Sequence, residues 1–263
     1  MTDDAPAPAP EPQTAPQPKT AGMLSGGRAG YIALGLSVVA LGLAAAPYFT
    51  GGSNVRAYLL DHPEVLQEAS QALQAKEGQA RVDETNAAVA ANAGLLAPDS
   101  RDPSFGPADA KVTVIEFFDF RCPGCKAVAH DYRALMAAHP EVRFVFKDWP
   151  ILDRGDDVTS QYAARAALAA HQQGKYLEVY DALMNERALT LQSIDAILAA
   201  HGVDMTRAKA TLASPETTRH IADIHTIAAA LRLQGTPTFF VNGKAAASID
   251  PAEINKMIEA AKK

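Results

Sequence analysis

Phe120-Arg121-Cys122-Pro123-Gly124-Cys125-Lys126 holds both cysteines of a 263-residue chain. The run before it, Val112-Thr113-Val114-Ile115-Glu116-Phe117-Phe118, is rich in β-branched and aromatic residues and reads as a strand. An apolar-periodic helix follows, from Cys125 to about His139. A thiol where a helix begins faces unpaired backbone N–H groups and the positive end of the macrodipole. Both favour the thiolate, which is the reactive form. With no third cysteine, neither thiol is spare for a structural bridge, and the pair is most simply a redox couple.

A lone C-x-x-C also suits half a zinc site or a two-coordinate Cu(I) site. Zinc needs two further ligands at suitable spacing. The histidines (His62, His130, His139, His171, His201, His220 and His225) show no such pairing near the thiols. His130 lies five residues after Cys125 on the same predicted helix, out of phase with it. Cu(I) between the two thiolates stays open.

Composition narrows the partners. The net charge is −6 and only one tryptophan is present, so neither a basic stripe nor a stacking platform marks a nucleic-acid surface. The first 28 residues, with Ala5-Pro6-Ala7-Pro8-Ala9-Pro10, read as an extended tail. Residues 29–49 carry no charge, and about 20 uncharged residues suffice to span a bilayer. Lys19 and Arg28 precede them, which places the tail on the cytoplasmic side. Tyr31 and Tyr48 stand near the two ends, where interfacial aromatics belong. The reading preferred over a cleaved signal peptide ending at Ala44-Ala45-Ala46, or a core helix, is an uncleaved inner-membrane anchor. Export places Cys122 where disulfides persist.

After Gly51-Gly52-Ser53-Asn54, residues 55–92 read as a helix with Val55, Leu59, Leu60, Val65, Leu66 and Leu73 on its apolar stripe. Beyond Gly78 it turns Ala/Asn/Glu-rich and looks like a stalk rather than core, so residues 50–98 are expected to form a helical stalk. The stripe makes the stalk either a solvated linker or a homo-oligomerisation segment. From residue 99 to 263 the pattern is α/β. A second strand covers 142–146 and a third follows Thr236-Pro237, ended by the hairpin signal Asn242-Gly243. About 90 residues separate these strands, far beyond a simple crossover. Helix starts at Thr190, Asp204 and Ser214 divide them into an inserted helical subdomain, about 158–213, and a longer helix running toward Gly235. Asp250-Pro251-Ala252-Glu253 opens a closing helix.

Three separated segments then agree in order: Glu116 to Lys126, Lys147-Asp148-Trp149-Pro150-Ile151-Leu152, and Gly235-Thr236-Pro237-Thr238-Phe239-Phe240-Val241-Asn242-Gly243. Together, over about residues 100–262, they resemble the DsbA-like branch of the thioredoxin-fold thiol–disulfide oxidoreductases. The resemblance implies a thioredoxin-like α/β fold with an inserted helical subdomain, here preceded by the transmembrane helix and stalk. It implies that Cys122 is the nucleophile and Cys125 the buried resolving thiol. Pro237 corresponds to the family's cis-proline, and the backbone of Thr236 to the strand edge that pairs with an extended substrate. Glu116 corresponds to the buried acid that moves the resolving thiol's proton, with Lys147 its candidate partner; a solvent-facing Glu116 is the alternative on an alternating strand.

The dipeptide Pro123-Gly124 departs from strongly oxidising members, which often carry a histidine there, and Arg121 is the candidate substitute cation. No cofactor is expected beyond a Cys122–Cys125 disulfide. The expected function is an exported, membrane-tethered enzyme that forms or isomerises disulfides in periplasmic proteins and is reset by an unidentified redox partner. A periplasmic dithiol reductant, a Cu(I) carrier using the same cysteines, and a non-redox scaffold are the competing readings. The 55–92 segment resembles, more loosely, the N-terminal helices of trimeric relatives.

Overall fold

The computed structural model describes Gly35, residues 37–41 and residues 55–263. The predicted tail, 1–28, lies outside these residues, as does the predicted anchor, 29–49, except for the helical Gly35 and 37–41. Among the described residues no helix is long and apolar enough to cross a membrane. The chain divides into two units, Met1–Ala69 and Ser70–Lys263. In the first, residues 55–61 are helical, and Val55, Leu60 and Leu66 are exposed. Helix α1 spans Glu64–Ala91, and its residues from Ser70 onward count with the second unit.

The second unit is built on a five-stranded sheet of order β1-β3-β2-β4-β5. β2 (Thr113–Phe118) leads through α2 (Pro123–Ala138) into β3 (Arg143–Asp148), its parallel neighbour. Five helices follow: α3 (Thr159–His171), α4 (Tyr176–Asn185), α5 (Leu191–Ala200), α6 (Met205–Leu212) and α7 (Pro215–Ala230). β4 (Thr238–Val241) then pairs antiparallel with β2 and turns into β5 (Lys244–Ala245). Asn242 (φ 46°) and Gly243 (φ 79°) make that turn, the left-handed pair a tight hairpin needs. α8 (Pro251–Ala261) closes the chain.

Local signals set the helix starts. Thr190 and Ser193 form a reciprocal capping box, and the side chains of Asp204, Ser214 and Asp250 each accept a backbone N–H from the first turn they open. β1 (Ser104–Phe105) is an edge strand that the sequence does not announce, because two residues carry no periodicity.

Both faces of the sheet are covered. Even-numbered strand residues (Val114, Phe118, Phe144, Phe146) meet Tyr132 of α2, Tyr176 and Tyr180 of α4, and Ile254 and Ile258 of α8. Odd-numbered ones (Ile115, Phe117, Val145) meet Trp149 and, from α7, Ile224 and Ala228. Rings interlock at the centre, with Phe118 edge-on to Tyr180 at 5.4 Å and Phe146 against the same ring at 5.0 Å.

One expectation changes here. The Ala/Asn-rich half of α1 is not a solvated stalk: Thr85 and Ala88 are buried, and Val82 and Val89 pack on the odd-numbered face. Asn86 Oδ1 accepts the Ala245 N–H at 2.9 Å, which satisfies part of the β5 edge. Small residues packed closely on a sheet edge leave no wide apolar stripe to read. Within α1 the exposed apolar stripe is limited to Leu66 and Leu73.

Candidate active site: a thiol pair at a helix start

β2 ends at Phe118, and the chain reaches α2 through a short turn that Asp119 organises. Its Oδ1 accepts the Arg121 N–H at 2.8 Å and the Ser160 hydroxyl at 3.0 Å; its Oδ2 accepts the N–H groups of Ile151 and Leu152 at 2.8 and 3.0 Å. One buried carboxylate thereby joins the turn, the loop after β3 and the start of α3. Nothing local in the sequence marks Asp119, because its partners Ile151, Leu152 and Ser160 lie more than thirty residues on.

Cys122 is the N-cap of α2, with Pro123 in the first turn. Its side chain is 8% exposed and that of Cys125, one turn on, is wholly buried; both thiols are free. Cys122 Sγ lies 3.2 Å from the Thr236 carbonyl, and the Thr236–Pro237 peptide bond is cis. The Cys122 pKa is lowered to about 5. The hydrogen bond from the Cys125 thiol is the largest cause, burial opposes it, and the Thr236 side chain and the backbone N–H groups of Cys125 and Gly124 add to the lowering. Cys125 moves the other way. Burial pushes its thiol far up, reinforced by the bond to Cys122 and by the charge of Glu116.

Gly124 lets the proline come close. A Cβ there would lie 3.3 Å from Pro237 Cδ, close enough to press on the ring, and in ordinary contact with Cys122 Sγ at 3.7 Å. The missing histidine therefore coincides with close packing of Pro237.

Glu116 is fully buried on the even-numbered face, which overturns the solvent-facing alternative: the sheet has no bare face. Tyr180 donates to Oε2 at 3.5 Å, while Oε1 has no partner among the described residues. Burial raises its pKa well above the carboxylate range, Tyr180 opposes, and the nearby Asp148 charge adds to the rise. Asp148 is itself buried and raised by burial, with Tyr176 donating to it at 3.0 Å. Neither tyrosine was identifiable from sequence, since both lie in the inserted helices.

Lys147 is not Glu116's partner. Glu116 pairs in register with Phe146 and Phe117 with Lys147, so the pleat sends Glu116 and Lys147 to opposite faces. Lys147 instead binds Asp102 at 2.5 Å, in a buried cluster where His220 Nε2 lies 3.2 Å from the other Asp102 oxygen. Nor does Arg121 serve the thiolate: its guanidinium is held by Asp153 at 3.0 Å and Asp157 at 2.6 Å. Two carboxylates neutralise the charge expected to help Cys122.

Residues 99–260 match the family model described as Thioredoxin. The chain belongs to the thioredoxin family. It is a DsbA-like thioredoxin-fold protein, with helices α3–α6 as the insertion. Residues 52–80 also match the model of the copper resistance protein ScsC N-terminal domain.

A crystal structure of a thioredoxin-like oxidoreductase from Silicibacter pomeroyi is 34% identical, with a TM-score of 0.59, covering 64% of this chain and 96% of that one. The probable disulfide bond formation protein D of Bacillus cereus is 28% identical over 56% of this chain and 73% of its own length. The Na(+)/H(+) antiporter NhaA 3 of Salinispora tropica is 36% identical over 149 residues, 56% of this chain. The matched part is only 22% of the antiporter's length.

Proposed function

We propose that this protein is an exported thiol–disulfide oxidoreductase that forms or reshuffles disulfides in exported proteins through Cys122 and Cys125. One observation carries the reading. A thiol at a helix start, 8% exposed and beside Thr236 and Pro237, precedes by one turn a wholly buried second thiol.

In the oxidised state a substrate thiolate attacks Cys122 Sγ and breaks the Cys122–Cys125 bond. Cys125 departs with the electron pair. It is a poor thiolate, and the buried Glu116, whose pKa burial raises, is the proposed acid that supplies its proton. A second substrate thiolate then attacks the substrate sulfur of the mixed disulfide, and Cys122 leaves as the stable thiolate. Two electrons pass from substrate to enzyme, and an unidentified redox partner must remove them. In the reduced state the Cys122 thiolate attacks an incorrect substrate disulfide, and Cys125 resolves any complex that stalls. The backbone of Thr236 is the proposed edge for the substrate chain.

The same proposal includes an inner-membrane anchor over residues 29–49 that holds residues 99–263 in the periplasm. It includes a homo-oligomer through the 55–92 segment, with the exposed stripe Val55, Leu60, Leu66 and Leu73 as the contact. The Cu(I) reading has the burial of Cys125 against it, because both sulfurs must reach the metal and Cys125 is wholly enclosed. The reductant reading is weaker because a stabilised Cys122 thiolate favours the dithiol form.

Trapping tests the proposal. Full-length Cys125→Ser, given disulfide-bearing exported proteins, is expected to accumulate mixed disulfides through Cys122, each forming as a substrate thiolate leaves, while Cys122→Ser accumulates none. Equal trapping by both variants would remove Cys122 as the nucleophile.

A further inference from the structure

The half of α1 that packs on the sheet forms one wall of a groove beside the thiol pair. The groove encloses about 430 Å³. Gly78, Arg81 and Val82 of α1 line one side; Pro237, Phe239 and Ile249 line the other. Pro237 and Ile249 are also the neighbours a Gly124 side chain would meet, so groove and active site are continuous. Its volume lies within the usual range for ligand pockets, about 300–1,000 Å³.

The wall is fixed. Asn86 holds the Ala245 N–H, Glu84 binds Arg232 at 2.8 Å, and Thr85 is buried. Arg81 stands one turn before these anchors. Arg232 also lines the groove, but Glu84 neutralises it. Arg81 makes no hydrogen bond or ion pair among the described residues, and no carboxylate lines the groove. In a chain of net charge −6, a free guanidinium over an otherwise largely apolar groove is a local exception.

We infer that Arg81 is a specificity residue: it binds an aspartate or glutamate side chain of an extended substrate segment flanking the reactive cysteine. The inference rests on the oxidoreductase reading above and adds a substrate class to it. The segment pairs with the Thr236 backbone, lays apolar side chains along Val82, Pro237 and Ile249, and brings its carboxylate to α1. An extended chain advances about 3.3 Å per residue, so scanning several positions on each side of the cysteine samples the length of the groove. A lysine at the same place meets a like charge.

The test uses the full-length reduced protein and synthetic peptides, each with one cysteine disulfide-bonded to a small uncharged thiol. Glu, Gln or Lys is scanned through the flanking positions, and release of the small thiol gives the rate. Arg81 is exposed, so Arg81→Gln and Arg81→Glu leave the fold and Cys122 untouched. Dividing each rate by the Arg81→Gln rate removes the peptide's intrinsic reactivity.

At one or two positions the Glu peptide is expected to react about two- to fivefold faster than the Lys peptide, the range of an exposed ion pair. Raised salt should shrink the ratio. Arg81→Glu should invert it, and the Gln peptide should react alike with all three proteins. A ratio of one at every position, or a Glu preference that survives in Arg81→Glu, overturns the inference while leaving the oxidoreductase reading intact. If the uncharged peptide fails to react with Cys122, the oxidoreductase reading fails and takes the inference with it.

Discussion

The lowered pKa of Cys122 makes the stability of the reduced protein depend on pH in a defined direction. The group has a pKa of about 5 in the fold against 9.0 as the ordinary value. Between these pH values the unfolded chain binds a proton that the native state does not, so stability rises with pH. The contribution is complete above the unfolded value and is lost as pH falls through about 5. At pH 7 two units of the shift are expressed, and at about 1.36 kcal/mol per unit that is about 2.7 kcal/mol. Water at the rim screens part of it, leaving about 1–2 kcal/mol.

The oxidised protein has no thiolate but carries the same Glu116, Asp148 and surface carboxylates. The difference between the two forms therefore reports the thiol pair together with its effect on Glu116. Urea unfolding of the reduced and oxidised proteins at a series of pH values is the assay. The reduced form should gain about 1–2 kcal/mol on the oxidised one between about pH 4.5 and 7, with unchanged denaturant slopes. Ultraviolet titration of the thiolate should give a midpoint near 5. A gap that is flat or falls with pH, or a midpoint above about 7.5, would refute the assignment of Cys122 as a stabilised thiolate.

Three other outcomes follow from the same geometry. Glu116→Gln removes the proton source for Cys125 and should slow the step in which Cys125 leaves or attacks by about tenfold to a hundredfold; stopped-flow kinetics of mixed-disulfide formation and decay separate that step from alkylation of Cys122, which should change little. Lys147→Met leaves Asp102 buried without its ammonium and should cost about 3–5 kcal/mol in chemical denaturation, while the Cys122 titration midpoint stays in place. Arg121→Ala should shift that midpoint by less than about half a unit, because Asp153 and Asp157 already neutralise the guanidinium.

The parts of the fold legible in the sequence are those written locally. The strand before Cys122, the cap residues Thr190, Asp204, Ser214 and Asp250, and the Asn242-Gly243 turn each carry their signal within a few residues. What stayed hidden depends on distant partners. Glu116 and Lys147 are one register apart on neighbouring strands, and only the paired sheet reveals that they face opposite sides. Arg121 stands beside Cys122 in the chain, yet Asp153 and Asp157, more than thirty residues on, claim it. The Thr85–Ala88 segment resembles a solvated helix because its residues are small. The same smallness lets it pack against the β5 edge and supply the wall that bears Arg81. Tyr180, the donor to Glu116, is one tyrosine among seven until α4 lays it under the thiol pair.

On the proposed function, Cys122 and Cys125 form a disulfide couple poised to oxidise or reshuffle substrate thiols. The most direct test is the reduction potential of the full-length protein, equilibrated in glutathione buffers and read by alkylation of the free thiols. A thiolate as stabilised as that of Cys122 favours the reduced form, and the account predicts a value between about −120 and −200 mV. A value at or below about −270 mV would make the couple a reductant and contradict the account.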